Sequence, residues 1–318
     1  MKLSTKIWLF AAVLFILIGA ILFTGVMAHH QWDFSKLDTS RFETNTHEIA
    51  KPFANIAINA DTADITFMAS IGETCKVECY EEENAKHSVA VEGETLTIKV
   101  DKKAWYEHIG INFKSPKLII HLPKTQYANL LIQGNTGDIE LPRSFKFETA
   151  TIASSTGEVR FSASASALIK IETSTGGIHL ENLSAGAIDL SASTGKITAS
   201  HITCGDLKAE VSTGETELSH VSCKNLISNG STGDLLLKTV VAEGKITIER
   251  DTGDIRFDCS DGAEIFIETD TGDVRGTLLS EKIFITKTDT GRIDLPSSVS
   301  GGRCEIHTDT GDIKIEIK

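Results

Sequence analysis

Four copies of one tripeptide pose the first chemical question. Asp251-Thr252-Gly253, Asp270-Thr271-Gly272, Asp289-Thr290-Gly291 and Asp309-Thr310-Gly311 each repeat the Asp-Thr-Gly on which aspartic proteases carry a catalytic carboxylate. Such a protease needs two carboxylates about 3 Å apart that share one proton. Evenly spaced copies along one chain are a different object. The same residues could instead hold a hard cation. Asp251, Asp254, Asp270, Asp273, Asp309 and Asp312 fall in two adjacent columns of the repeat. Stacked carboxylates about 5 Å apart repel, and Ca²⁺ would relieve that repulsion. Arg292 interrupts the second column, however, and the units do not match the nine-residue calcium-binding β-roll. The acidic columns therefore read as solvated turn residues, with no metal, no cofactor and no catalytic residue expected.

Cysteine and histidine add little chemistry. Cys204 and Cys223 share a column ten residues after a repeat threonine, so export could close a disulfide between coils. Parallel neighbours hold their Cβ atoms wider than the ~3.8 Å a disulfide prefers, which leaves stacked thiols as the other reading. His201 and His220 share a column seven residues after the threonine and read as a surface ladder. His179 and His307 likewise have no acid or nucleophile at a recognisable spacing.

The elements that must position these residues follow from a repeat. Thr-Gly recurs every 19 or 20 residues, with its glycine at Gly137, Gly157, Gly176, Gly195, Gly214, Gly233, Gly253, Gly272, Gly291 and Gly311. Three residues after the threonine comes an aliphatic residue in every unit except one, which has Thr216. Another apolar residue follows two further on, with Gly276 the exception. This period of two is a strand with one buried face. Before each threonine lies a second alternating strand, such as Ile169 and Ile171 or Ile265 and Ile267. Turns such as "SAGA", "SDGA" and "VAEG" separate the two strands in several units.

Two short strands cannot bury their faces alone, but stacked copies can, each pairing in parallel with the next. At ~4.8 Å per coil the nine intervals make a rod core of roughly 45 Å. No unit has room for a crossover helix, so a Rossmann or barrel fold is excluded. The Thr-Gly sits at a corner, where glycine takes φ > 0 without steric cost. The preceding residue, Ser in the middle units and Asp in the last ones, caps that turn. A catalytic carboxylate would not be one member of such a graded column.

The chain has 318 residues and a net charge of −13, which argues against a nucleic-acid partner. Residues 7–28 run 22 positions without a charge, long enough to span a bilayer as a helix. Lys2 and Lys6 precede the span and predict an N-terminus that stays inside while the remainder is exported. Val26-x-Ala28 also fits a cleavage site, which would make the segment a signal peptide.

The chain resembles the DUF4097 family of candidate adhesins on bacterial envelopes. The resemblance rests on serial units such as Ser231-Thr232-Gly233-Asp234 and Asp270-Thr271-Gly272-Asp273. It extends to "FANIAINADTADITF" at residues 53–67 and "LIIHLPKTQYANLLIQGNTGDIEL" at residues 118–141. It implies an extracytoplasmic single-stranded β-helix without established catalytic residues.

The expected fold is therefore all-β: a single-stranded parallel β-helix, or β-solenoid, with 19–20-residue coils behind one N-terminal transmembrane helix. The expected organisation is a cytoplasmic tail at residues 1–6, a transmembrane helix at 7–28, a linker at 29–48, a capping β region at 49–135 and solenoid repeats at 136–318. Within the cap, "VAVEGETLTIKV" reads as a hairpin turning at Gly93. The final "TGDIKIEIK" reads as the outermost strand of the rod, with an open edge that invites docking or self-association.

Two functions fit this frame. One is a non-catalytic, membrane-anchored protein of the cell envelope that binds another surface component as adhesin or scaffold. The other is a carbohydrate-active β-helix enzyme resembling a polysaccharide lyase. The lyase reading needs a groove of clustered acids and bases, usually with aromatic platforms for sugar rings. Trp and Tyr are absent after Tyr127, which favours the binding role.

Overall fold

The protein is described here from a computed structural model covering residues 3–29, 31–33, 41–100 and 114–318. One helix, Leu3–His29, is followed by strands only. The cytoplasmic tail expected at residues 1–6 lies only partly inside the described residues, and Trp105 and Tyr106 lie outside them.

The strands form one parallel stack, and its order is visible at the corner threonines. Thr62 pairs with Thr136, and the ladder continues in register through Thr156, Thr175, Thr194, Thr213, Thr232, Thr252 and Thr271. Inward columns are aliphatic because every second residue faces the axis. Ile152, Ile171 and Leu190 stack in one column and are fully buried. Each such side chain contributes on the order of 1.5–3 kcal/mol through burial.

Four expectations need correction. First, each coil has three sides rather than two. The strand Ile178–Thr194 runs on through a bend at Asn182, where φ is 54°, and ladder pairing lapses there and again at Gly186. His201, His220, Thr239 and Cys259 hold the same bend in neighbouring coils, with φ of 51–54°. These are not glycines, so no turn signal marked the corner.

Second, strand Phe42–Ile49 occupies much of the expected linker at residues 29–48. It pairs antiparallel with strand Cys75–Glu82, and Phe42 stacks on Tyr80 at 5.0 Å. Its own sequence is polar, so pairing with that strand decides its state.

Third, the solenoid begins inside the expected cap. Asn55–Thr62 and Asp64–Ala69 already form a coil beneath the Thr136 coil. The chain then leaves to build the cap. Thr95–Val100 and Lys117–Leu122 stack in parallel on the outer side of that first coil, and antiparallel strands cover them. The hairpin turning at Gly93 is as expected.

Fourth, the last coil in sequence is not the last in space. Gly302–Thr310 pairs with Ile255–Thr271 on one side and with Lys282–Thr290 on the other. Ile313–Ile317 is likewise flanked by Val274–Leu278 and Ile293–Asp294. The edge expected to be open at residues 310–318 is thus paired along Gly302–Thr310 and at Ile313 and Lys314, which leaves only the outer side of residues 315–317 without a ladder partner among the described residues. The unpaired edge belongs to the Thr290 coil, where Ile283, Ile285 and Ile293 are exposed. A buried ion pair ties that coil back, Lys282 Nζ standing 2.7 Å from Asp261 Oδ1.

The corner glycines do more than turn the chain. Gly253 has φ of 142°, and a methyl group there would stand 2.1 Å from the Gly233 carbonyl oxygen. Gly272 and Gly291 lie outside the left-handed region, yet a methyl group at either would stand 2.0 Å from the facing glycine oxygen. Close coil-to-coil approach, more than φ, therefore excludes a side chain. Gly253→Val is expected to destabilise the rod by about 3 kcal/mol or more, measured by chemical denaturation under circular dichroism. Asp251→Asn, at an exposed corner, should leave the midpoint unchanged.

Candidate functional site

The acidic columns sort into two roles. Asp251, Asp270 and Asp309 are exposed at the corner. The column two residues after the threonine instead binds backbone. Asp234 Oδ1 accepts the amide of Asp254 at 2.9 Å, Asp254 Oδ1 accepts that of Asp273 at 3.1 Å, and Asp273 Oδ1 accepts that of Asp312 at 2.7 Å. Asp312 Oδ1 in turn accepts the amide of Arg292 at 3.0 Å, and Arg292 belongs to the outermost coil, where the column has no further amide to bind. Asp64 and Asp138 start the same ladder at the other end. Two arginines complete the neutralisation: Arg256 lies 3.0 Å from Asp254, and Arg275 lies 2.5 Å from Asp273 and 3.4 Å from Asp312. These carboxylates are already engaged by amides and guanidinium groups, which is the arrangement of a structural column. The signal was present in the serial Thr-Gly-Asp, but only coil stacking shows which N–H each carboxylate meets.

Burial pushes the Asp254 carboxyl up, but the Asp273 amide and Arg256 outweigh it and hold the group below its ordinary value. A depressed carboxylate stabilises the fold above its unfolded pKa, and that contribution is lost as pH falls through the folded value. Acid denaturation of Asp254→Asn should therefore show a smaller loss of stability below about pH 4 than wild type, followed by circular dichroism.

Beside the Thr-Gly corner runs a groove of 1280 Å³. It is built from stacked columns: Asn59, Gln133, Glu172 and Ser191 in one, and Asp61, Asn135, Ser155, Ser174 and Ser193 in the next. The turn between the cap strands closes one end with Glu82, Ala85 and His87. Beyond Ser191 a shallower hollow of 320 Å³ extends the same columns to Glu249 and Asp251. Of the groove's three acids, Glu82 lies at the turn at the closed end, and Asp61 and Glu172 stand three coils apart in register, about 14 Å at ~4.8 Å per coil. Carboxylate pairs that cleave glycosidic bonds stand about 5–9.5 Å apart, so this pair is too wide for that work.

Beneath the hollow lies a residue that sequence reasoning missed. Arg250 is 3% exposed, and its Nη2 donates to Ser228 Oγ at 3.0 Å and Thr216 Oγ1 at 3.3 Å. Thr216 is the polar break in an aliphatic column, and it is explained by this guanidinium. Gly230 makes the room, since a methyl group there would stand 2.1 Å from Arg250 Nη1.

The remaining candidates are structural. His201 and His220 stack as a ladder with ring centroids 4.8 Å apart and planes 2° apart. His179 bridges coils, contacting Thr198 Oγ1 at 2.5 Å and Glu158 Oε1 at 3.0 Å. Cys204 and Cys223 are free, as are the other cysteines, and burial pushes their thiols up to about 11 and about 12.

A repeat whose coils stack corner on corner, closed at one end by antiparallel strands, defines a capped β-solenoid. The chain belongs to the Toastrack DUF4097 family, whose profile matches residues 53–316. Solved structures of similar proteins include a candidate adhesin from Bacteroides fragilis, at 15% identity and TM-score 0.45, covering 88% of this chain and 99% of that one. Another from Parabacteroides merdae shows 12% identity and TM-score 0.48, covering 88% and 98%. A third, from Parabacteroides distasonis, shows 14% identity and TM-score 0.46, covering 85% and 98%. No curated protein matches the chain.

Proposed function

We propose that this protein is a non-catalytic, membrane-anchored rod outside the cytoplasm that binds a polymer of the cell envelope, as adhesin or scaffold. The observation that carries this reading is the groove, whose two columns carry hydroxyl, amide and carboxylate groups at the coil spacing with a break at Ala153 in one of them. A linear polymer with regularly placed polar groups meets the same chemistry at each coil. Single contacts are weak, and repetition supplies the affinity.

The anchor is helix Leu3–His29, whose apolar side chains, among them Phe10, Phe15, Ile16 and Ile21, face outward. Nothing in the rod covers them, and a bilayer would. Lys2 and Lys6 keep that end inside by the positive-inside rule. Protease added to intact cells should then digest the rod and leave the helix in the membrane. A mature N-terminus at His29 would show a cleaved signal peptide and remove the anchor.

For the groove, the full-length chain in detergent is mixed with purified cell-wall polymer and sedimented. Saturable binding is expected, and Ser174→Arg with Ser193→Arg, both at exposed positions, should weaken it about tenfold. Equal binding by the variant would remove the groove from the account, and shortened polymer in the supernatant would favour the lyase reading.

A further inference from the structure

The cap strand Cys75–Glu82 turns Cys75, Val77, Cys79 and Glu81 inward. Three of these suit a core, but the fourth is a carboxylate only 1% exposed. Among the described residues no lysine or arginine is in contact with Glu81. Its Oε2 accepts the backbone amide of His87 at 2.6 Å and meets His87 Nδ1 at 2.6 Å. Its Oε1 accepts Asn45 Nδ2 at 2.8 Å, and Asn45 is itself level with Cys79 on the neighbouring strand. His87 is 5% exposed, and its Nε2 is buried with no hydrogen-bond partner among the described residues. The Cys79 sulfur, a Glu81 carboxylate oxygen and a His87 ring nitrogen all lie within 4.8 Å of one another.

We propose that Cys79, Glu81 and His87 form a binding site for a zinc-class divalent cation. Thiolate, imidazole and carboxylate are the donors that zinc takes, and three protein ligands leave a fourth position for water. Calcium and magnesium, which want an all-oxygen shell, do not suit a sulfur and a nitrogen. Around a tetrahedral ion at zinc's bond lengths the donors stand about 3.3–3.8 Å apart, so the 2.6 Å contact between Glu81 and His87 opens as the sulfur draws in. Side-chain rotation supplies that movement, because all three project from strands held by backbone pairing.

A bound cation supplies the positive charge that lets the thiolate persist, so binding releases the thiol proton to solvent and weakens as pH falls. Asn45 orients Glu81 from the strand Phe42–Ile49, the outermost strand of the cap. The ion would tie that strand and the turn before His87 to the rod, whatever the groove beside it binds.

The test uses the full-length chain in detergent, kept reduced, stripped with a chelator and titrated with Co²⁺. One equivalent should bind with thiolate-to-cobalt absorption in the near ultraviolet, and Zn²⁺ should displace it. Cys79→Ser, which is nearly isosteric, should abolish that absorption while the circular dichroism of the metal-free protein stays that of wild type. Asn45→Ala should weaken cobalt binding roughly 10–100-fold, as loss of an outer-shell partner does. Zn²⁺ should raise the Tm of wild type but not of Cys79→Ser. Absence of the thiolate band in wild type, or its persistence in Cys79→Ser, would overturn the proposal.

Discussion

Every other feature of the rod depends on how closely two successive corners approach. Every corner glycine except Gly291 of the outermost coil donates its amide to the threonine carbonyl of the next coil, as Gly195 does to Thr213 at 3.0 Å and Gly272 does to Thr310 at 2.9 Å. The same approach places a glycine oxygen where the next glycine's Cβ would be. A side chain at this point would wedge the coils apart and break the parallel ladders on all three sides. With the corner closed, the coils keep a spacing of ~4.8 Å, and each inward residue lands on its counterpart.

That registration turns single residues into rows, with consequences for charge. A carboxylate repeated at coil spacing would repel its neighbours, so the column after the glycine spends its charge on backbone amides and takes help from Arg256 and Arg275. Rows of serine and asparagine need no such help, and they can line an open groove. Where the row pattern breaks, the break is shared between coils. Arg250 fits in the interior because Gly230 vacates its space and Ser228 and Thr216 accept hydrogen bonds from its Nη2.

The two ends of the stack are handled differently. At the helix side, the first coil receives two more parallel strands and then an antiparallel cover, whose inner face carries the Cys79, Glu81 and His87 cluster. At the far side, the chain passes over one coil position to form the Thr290 coil, then returns to fill the gap with the Thr310 coil. The outer coil is held by the Lys282–Asp261 pair, which spans the inserted coil between them.

The sequence by itself determined the solenoid, its period, its corner and its inward columns, because these follow from local alternation and a repeated Thr-Gly. It also showed which columns are acidic, which hold serine, and where a column breaks, as at Thr216. What it left open were the contacts between residues far apart in the chain. The bend at His201 and its equivalents uses ordinary residues in a left-handed conformation, so no local type marks it. The strand Phe42–Ile49 is polar and is a strand only because Cys75–Glu82 pairs with it. Chain order pointed to the last coil as the tip, whereas the stack places it second from the end, since any coil with the right register can fill a gap. The groove and the buried cap cluster belong to the same class. Each is assembled from residues that are unremarkable in sequence and become neighbours only when tertiary pairing sets one strand against another.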